Sequence, residues 1–214
     1  MERVYKYIEE LIVRYPILKG IKKNIEEAFR EFTSVYENGG KIIVAGNGGS
    51  AADAEHLMCE LMKGFLIERQ LDEEFSTALK HVDNSIGDHL SKVLQKPLPV
   101  IALGSHVAFS TAYINDVESD SLFAQQLLGM GKKGDAFIGI STSGNSRNII
   151  EAAVLAKALG LTVIALTGMD GGKLKSFADV IVQVPENKTY IIQEYHLPIY
   201  HCWCMMLEEY FFGD

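Results

Sequence analysis

A histidine and a glutamate four residues apart are the first residues in this sequence whose types and spacing could do chemistry. His56 and Glu60 lie in the stretch HLMCEL, just past the glycine-rich stretch AGNGGS. If HLMCEL is helical, both side chains share one face, because residues four apart are neighbours on a helix surface. They could bind a divalent metal, or they could act as a general acid and base. A partly solvated polar stripe has the same spacing, so the rest of the chain must supply the other half of a site.

The apolar closing segment contains a second set of polar residues, in the stretch QEYHLPIYH. Gln193 and His201 are eight residues apart, a little over two helical turns, which places them on roughly one face. His196 is three residues after Gln193 and also permits a shared face, so spacing alone does not choose between the two histidines. Pro198 lies inside the segment, and we expect a kink or a local break there. Together with the first pair, these nitrogen and oxygen atoms could hold a divalent metal.

Two turns rich in small residues follow two apolar stretches. The first is GNGGS, and the second is STSGNS, which contains Ser141, Thr142, Ser143 and Ser146 but no lysine. A turn between a parallel strand and a helix leaves backbone N–H groups free for an anion. Ordinary capped turns would show the same composition, but two of them at one edge of a sheet favour a ligand site. A lysine-free cradle rich in hydroxyls is suited to a monophosphate, such as that of a sugar phosphate, and does not have the P-loop spacing.

A third polar feature is the stretch YINDVES. Asn115 and Asp116 could form an ordinary turn, or they could face the hydroxyl groups of a sugar. The sequence alone leaves both interpretations open.

A repeated strand–turn–helix pattern must position these residues. Continuous apolar runs without polar alternation predict strands buried on both faces, and strands alternating with helices predict a parallel sheet covered by helices on both sides. The fold class is therefore α/β, with two leading helices in residues 1–36. The predicted strands are 41–46, 99–104, 134–141, 161–168 and 179–185.

One stretch interrupts this pattern. Residues 68–96 predict one or two extra amphipathic helices, inserted between the first site helix and the second strand. The apolar residues expected on one face of this insertion are Phe75, Leu79, Val82, Ile86 and Leu90.

Composition limits the classes of protein that need considering. The 214 residues fit a single domain, and a net charge of −8 argues against a large nucleic-acid-binding surface. No apolar run reaches about 18 residues, so we expect no membrane span. The three cysteines include no CxxC pair, which favours a reducing cytoplasm. Two of them, Cys202 and Cys204, lie in an apolar run and are interpreted as core thiols.

The sequence resembles the sugar isomerase (SIS) domain family, and most closely its phosphoheptose isomerase branch. The resemblance lies in GNGGSAADAEHLMCEL, AYINDVESD, residues 134–185 and IIQEYHLPIYH, and it covers nearly the whole chain except 68–96. It implies one domain over 1–214 with a flavodoxin-like five-stranded parallel sheet. It also implies a homotetramer, with residues 1–36 at oligomer contacts and sites shared between subunits.

The same resemblance implies conversion of sedoheptulose 7-phosphate to D-glycero-D-manno-heptose 7-phosphate through an enediol. Glu60 would be the base, and His201, rather than His196, would be the complementary acid/base group. One zinc ion per subunit would be held by His56, Glu60, Gln193 and His201. The substrate would contact Asn47, Gly48, Gly49, Ser50, Asn115, Asp116, Ser141, Thr142, Ser143, Ser146 and Gln193.

The sequence departs from the family at two positions near the site. Gly64 stands where an arginine is common, with Lys63 beside it, and Tyr190 stands where an aspartate is common. A non-catalytic relative of the same fold binds a replication-initiator-type protein, and other SIS modules sense a sugar phosphate. In the protein-binding relative, the positions of Glu60 and His201 are unfit for the chemistry. Both are intact here, which favours an enzyme.

Overall fold

The computed structural model describes residues 2–213 and contains one sheet of five parallel strands in the order β2-β1-β3-β4-β5. This order, with its reversal at β1, is that of flavodoxin-like folds, so the predicted fold class is confirmed. Every residue of β1 and β3 is buried, as the continuous apolar runs predicted. The strands are β1 (Ile42–Ala45), β2 (Val100–Ala102), β3 (Ala136–Ser141), β4 (Thr162–Thr167) and β5 (Val180–Gln183).

Helices cover both faces of the sheet, and short 3-10 helices lie at Pro16–Ile21 and Leu174–Ser176. The two leading helices are found as predicted, and the proline at position 16 begins the 3-10 segment between them. A short helix after Asp116 was not predicted. The helices are α1 (Glu2–Arg14), α2 (Lys22–Glu37), α3 (Gly49–Met62), α4 (Glu73–Val82), α5 (Asn84–Val93), α6 (Val107–Asp116), α7 (Leu122–Met130), α8 (Arg147–Leu159) and α9 (Thr189–Phe212).

The sheet separates two hydrophobic cores. Alternate residues of a strand point to opposite faces. Ile42 and Val44 of β1 therefore pack into the core formed with α1, α2, α3 and α9. Ile43 packs on the other side, against residues of α7 and α8. The larger core centres on Trp203 of α9, whose indole N–H donates to the carbonyl of Ile25 at 3.0 Å. This hydrogen bond joins α9 to α2, and the same core includes Ala54, Leu57 and Leu61 of α3, the helix that contains His56 and Glu60.

Helix α9 passes through Pro198 without interruption, so the local break expected there is not found. Proline removes one backbone N–H donor, but the segment is buried on both sides of it, at Ile199 and His196. Tertiary packing therefore holds the helix together. Cys202 and Cys204 are buried in it, as expected of core thiols.

The insertion forms a helical hairpin of α4 and α5, and its apolar face was wrongly predicted. The helices break at Asp83, whose side chain accepts a hydrogen bond from the backbone N–H of Ile86 at 2.8 Å. The break turns the chain back, so the expected single face does not exist. Phe75 and Val82 are 53% and 89% exposed, and Gly87 is the one buried residue that the two helices contain.

The hairpin begins and ends at one place. The carbonyl of Arg69 accepts a hydrogen bond from the N–H of Lys96 at 2.8 Å, which closes the base of the hairpin. Between residues 2 and 213, no helix is both long and apolar enough to span a bilayer.

Candidate active site

Helices α3 and α9 bring three of the proposed catalytic and metal-binding side chains together. Nε2 of His56 lies 3.2 Å from a carboxylate oxygen of Glu60 and 3.4 Å from Nε2 of His201. The two imidazole rings pack edge to face, with centroids 4.8 Å apart. The side chain of Glu60 is 12% exposed, so it is shielded from solvent yet accessible to a small ligand.

The glycine turn before α3 is shaped by close backbone approaches. Gly48 has a φ of 56°, which glycine adopts without strain, and a Cβ on Gly46 would lie 2.2 Å from the carbonyl oxygen of Ser50. A Cβ on Gly49 would lie 2.6 Å from Nε2 of Gln193. Gln193 of α9 therefore packs directly on the start of α3, the helix that contains His56 and Glu60.

The second turn lies beside the first. The hydroxyl oxygens of Ser141 and Ser146 are 3.0 Å apart, across the turn between β3 and α8. Asn47 of the first turn and Asn148 of α8 exchange two hydrogen bonds of 2.9 Å through their side-chain amides. The two turns are thus linked at the carboxyl edge of the sheet, where parallel α/β proteins bind ligands.

A cation and a histidine with a shifted pKa lie near the carboxylate of Glu60. The ammonium of Lys63 lies 3.1 Å from its second carboxylate oxygen, so a cation stands near the position where family members have an arginine. Burial lowers the pKa of His201, and the neighbouring His56 lowers it further, while the negative charge of Glu60 opposes both effects. The lowered pKa favours the neutral imidazole of His201, which can accept a proton.

Sequence reasoning missed Tyr200, which contacts His56, and Asp53, which contacts Tyr200. The hydroxyl of Tyr200 lies 2.9 Å from Nδ1 of His56, and it donates to Oδ1 of Asp53 at 3.3 Å. Burial raises the pKa of Asp53 to about 6, although the hydrogen bond from Tyr200 and the charge of His56 act in the other direction. Asp53 is three residues before His56 on α3, and that helical spacing was the signal that could have pointed to it.

A second missed group fixes the end of α3. Arg69 and Glu208 form a buried ion pair with a distance of 2.9 Å, and the guanidinium also donates to the carbonyls of Leu61 and Glu60. The carboxylate of Glu208 accepts three hydrogen bonds from the backbone N–H groups of residues 65–67. No local sequence pattern pairs Arg69 with a residue in the last helix.

The structure separates the two candidate histidines of α9. His196 is fully buried, with Nε2 at 3.3 Å from the carbonyl oxygen of Thr167, and burial lowers its pKa to about 4. It lies under the end of β4, whereas His201 contacts His56. The side chain of Tyr190 is exposed.

Asn115 and Asp116 are not brought to the other candidate residues. They lie at the end of α6, where the amide of Asn115 donates to the carboxylate of Asp116 at 2.7 Å. At Gly64, the backbone N–H donates to the side-chain oxygen of Gln95, and a Cβ would lie 2.8 Å from that oxygen. A residue from the base of the hairpin thus occupies the space next to Gly64.

The donor atoms fit part of a metal site. Ligands of a tetrahedral zinc ion at about 2.0–2.1 Å are about 3.3–3.4 Å from one another, and the two distances from Nε2 of His56 match that spacing. Three His, Cys, Asp or Glu side chains nevertheless do not converge as a complete ligand set anywhere in residues 2–213. His56, Glu60 and His201 supply nitrogen and oxygen atoms that zinc accepts, and two of the distances between them fit a tetrahedral site. A complete set of zinc ligands requires a rearrangement of side chains.

Fold and site together define a doubly wound α/β protein whose ligand site lies at the carboxyl edge of its sheet. The sequence model of the SIS domain family matches residues 6–93 and 89–168. The chain is 39% identical over 216 residues to a phosphoheptose isomerase of Sulfurimonas denitrificans, covering 98% of this chain and 97% of that protein. It therefore belongs to the SIS domain family, in the phosphoheptose isomerase branch.

Solved structures agree with this assignment. A phosphoheptose isomerase from Neisseria gonorrhoeae superimposes with a TM-score of 0.74 at 32% identity, covering 97% of this chain and 98% of the other. One from Francisella tularensis gives a TM-score of 0.75 at 32% identity, covering 97% of each chain. The similarity therefore includes the leading helices as well as the sheet.

Proposed function

We propose that this chain is an aldose–ketose isomerase that converts sedoheptulose 7-phosphate to D-glycero-D-manno-heptose 7-phosphate through an enediol. The observation that supports this most is the position of Glu60, which lies between His56 and Lys63. The names of the relatives supply the class of sugar.

Glu60 has the chemistry of the base that moves a proton between C1 and C2. Ketose–aldose exchange requires one group that takes a proton from carbon and returns it to the neighbouring carbon, which a carboxylate can do. His201, with a lowered pKa, accepts and returns the proton on the sugar oxygens. Lys63 holds the carboxylate of Glu60 in one orientation.

The two turns would hold the rest of the substrate. The hydroxyls of Ser141, Thr142, Ser143 and Ser146 and the free N–H groups at the start of α8 suit a phosphate group. Gly48, Gly49, Ser50 and Gln193 would face the sugar between the phosphate and the reacting carbons. Asn47 is held by Asn148 and would direct its amide to the same place.

We include one zinc ion per subunit in the proposal, held by His56, Glu60, Gln193 and His201. When bound, it would polarise the oxygens on C1 and C2 and stabilise the charge of the enediolate. Support comes from the two donor spacings around His56 and from the nitrogen and oxygen donors themselves, which zinc accepts.

A homotetramer in the cytoplasm completes the proposal. Helix α6 and the residue that follows it expose Val107, Phe109, Ile114 and Val117, an apolar surface that a neighbouring subunit would cover. Such contact would carry Asn115 and Asp116 toward a site on another subunit. The free cysteines fit a reducing compartment.

The test is proton exchange. Purified protein is incubated with sedoheptulose 7-phosphate in D2O, with added zinc or with a chelator, and followed by NMR. Deuterium at C2 of an aldose product, or at C1 of the ketose, is the expected result, and its loss with chelator would support the metal. If the sugar phosphate raises the melting temperature but exchanges no hydrogen, the protein is a sensor or acts on another phosphosugar. If it neither reacts nor stabilises the protein, the proposal is wrong.

A further inference from the structure

Tyr200 is the buried link between two side chains of α3. It is 1% exposed, yet its hydroxyl lies 2.9 Å from Nδ1 of His56 and 3.3 Å from Oδ1 of Asp53. The second oxygen of Asp53 is buried and has no hydrogen-bond partner in residues 2–213. The hydroxyl of Tyr200 is therefore the side-chain donor that reaches this carboxyl.

The hydroxyl has one hydrogen to give and two neighbours that can accept it. If it donates to the carboxylate of Asp53, its oxygen can only accept from Nδ1 of His56, and Nδ1 must then bear the ring hydrogen. Nε2 of His56 is left with its lone pair, on the side where Glu60 and His201 lie. If it donates to Nδ1 instead, the ring hydrogen moves to Nε2 and faces Glu60, and the carboxyl of Asp53 is left without a side-chain donor.

We propose that Tyr200, held by Asp53, is a positioning residue that fixes the ring of His56 with the lone pair of Nε2 directed toward Glu60 and His201. This inference rests on the proposed function, because that lone pair is what a metal ion or a substrate hydroxyl would meet. A histidine that acts through one ring nitrogen is commonly oriented by a hydrogen bond on the other.

The arrangement differs from a simple buried tyrosine. A tyrosine that only filled the core would need one partner for its hydroxyl, and the ring of His56 would be free to turn. Here the hydroxyl of Tyr200 is shared between Asp53 and His56. The rings of Tyr200, His56 and His201 also pack edge to face with centroids 4.8–5.5 Å apart. The direction in which the Tyr200 hydroxyl donates its hydrogen therefore decides which ring nitrogen of His56 has a free lone pair.

The test reads the tautomer of His56 directly. Nitrogen NMR on the histidine-labelled, metal-free protein distinguishes a protonated from an unprotonated ring nitrogen, at about pH 8, where an ordinary carboxyl is ionised. The signal is assigned with His56→Gln. In the wild type we expect the hydrogen on Nδ1. In Asp53→Asn the amide N–H donates to the tyrosine oxygen, so we expect the hydrogen of His56 to move to Nε2.

Tyr200→Phe keeps the buried ring and removes only the hydroxyl, so the fold should survive. We expect a mixture of tautomers, about 10- to 100-fold weaker binding of zinc alone, and kcat lower by about the same factor with little change in KM. Tyr195→Phe on the same helix is the matched control, since that ring packs on Tyr15 and not on His56. It should leave all three measurements unchanged.

The outcomes separate this inference from the proposed function. If the wild type has no isomerase activity but the tautomer moves as expected and zinc binding weakens, the proposed reaction is wrong and the positioning role stands. If the tautomer of His56 is the same in the wild type, Asp53→Asn and Tyr200→Phe, the inference is overturned. It is also overturned if the tautomer moves while zinc affinity and kcat stay at wild-type values.

Discussion

Two neighbouring regions of this protein are built in opposite ways. Between α3 and α9, residues far apart in the chain are interlocked, as in the contacts of Tyr200 with His56 and of Glu208 with Arg69. The hairpin of α4 and α5, which follows α3 directly, buries almost nothing, and Gly87 alone is enclosed. A rigid site thus lies next to an appendage with little internal packing. The difference indicates where a change in sequence will matter.

The largest effect is expected from removing the carboxylate of Glu60, which lies in the interlocked region between α3 and α9. Glu60→Gln keeps the size of the side chain but removes the base, and we expect turnover of the sugar phosphate to fall by about 10²- to 10⁴-fold. The melting temperature and phosphate binding should be retained. The matched control is Glu55→Gln on the same helix, where the carboxylate is exposed and bonds to Ser105. Unchanged turnover in Glu60→Gln would remove this residue from the mechanism.

The buried ion pair of Arg69 and Glu208 lies between the two regions. Breaking it should have the next largest effect, on stability and not on rate. Arg69→Met leaves the carboxylate of Glu208 buried without its cationic partner. Because an unpaired buried charge is costly, we expect the free energy of unfolding to fall by about 3–5 kcal/mol in urea titrations. Lys80→Met, which breaks the exposed pair with Asp88 inside the hairpin, should change it too little to resolve. Equal effects of the two variants would contradict the contrast between the regions.

The sequence predicted one of these regions much better than the other. Continuous apolar runs identified all five strands, and the spacing of His56 and Glu60 placed them correctly on one face of α3. A helical period could not reveal that Asp83 turns the chain back, so the apolar face of the hairpin was wrong. Nor could local spacing show Tyr200 over Asp53, because that contact joins residues of two elements that only the fold brings together.

The buried histidine of α9, His196, should make the stability of the interlocked region depend on pH. Burial lowers the pKa of His196 to about 4, whereas an ordinary histidine titrates near 6.5. Below about pH 6.5 the imidazole of His196 binds a proton in the unfolded chain but not in the native protein. The free energy of unfolding is therefore highest above that pH and falls as the pH drops toward 4. The loss should reach about 3 kcal/mol, measured by urea unfolding across this range.

His196→Asn removes the titrating group, so its unfolding free energy should change less between neutral and acidic pH than that of the wild type. His81→Gln serves as the control because its ring is exposed on α4. That variant should follow the wild-type pH dependence. If His196→Asn follows it too, His196 does not titrate as a buried group.

The smallest effect is expected from removing the hairpin altogether. Deleting residues 71–94 joins Gln70 to Gln95, and the hydrogen bond from Lys96 to the carbonyl of Arg69 then becomes the i to i+3 bond of a β-turn. The ends already meet, so the deletion should strain nothing. Gln95 stays in the chain and can keep its bond to the N–H of Gly64. We expect the melting temperature to shift by only a few degrees and kcat/KM to change by less than about tenfold, or about 1.4 kcal/mol.

In the intact protein, amide hydrogens of α4 and α5 should exchange faster than those of α3 and α9, because few buried contacts oppose their opening. Gln95→Ala separates the single contact at Gly64 from the rest of the hairpin. A deletion variant that aggregates or loses turnover entirely would mean that the exposed residues Phe75 and Val82 are covered in the working assembly, and that the hairpin is as integral to the site as α3 and α9.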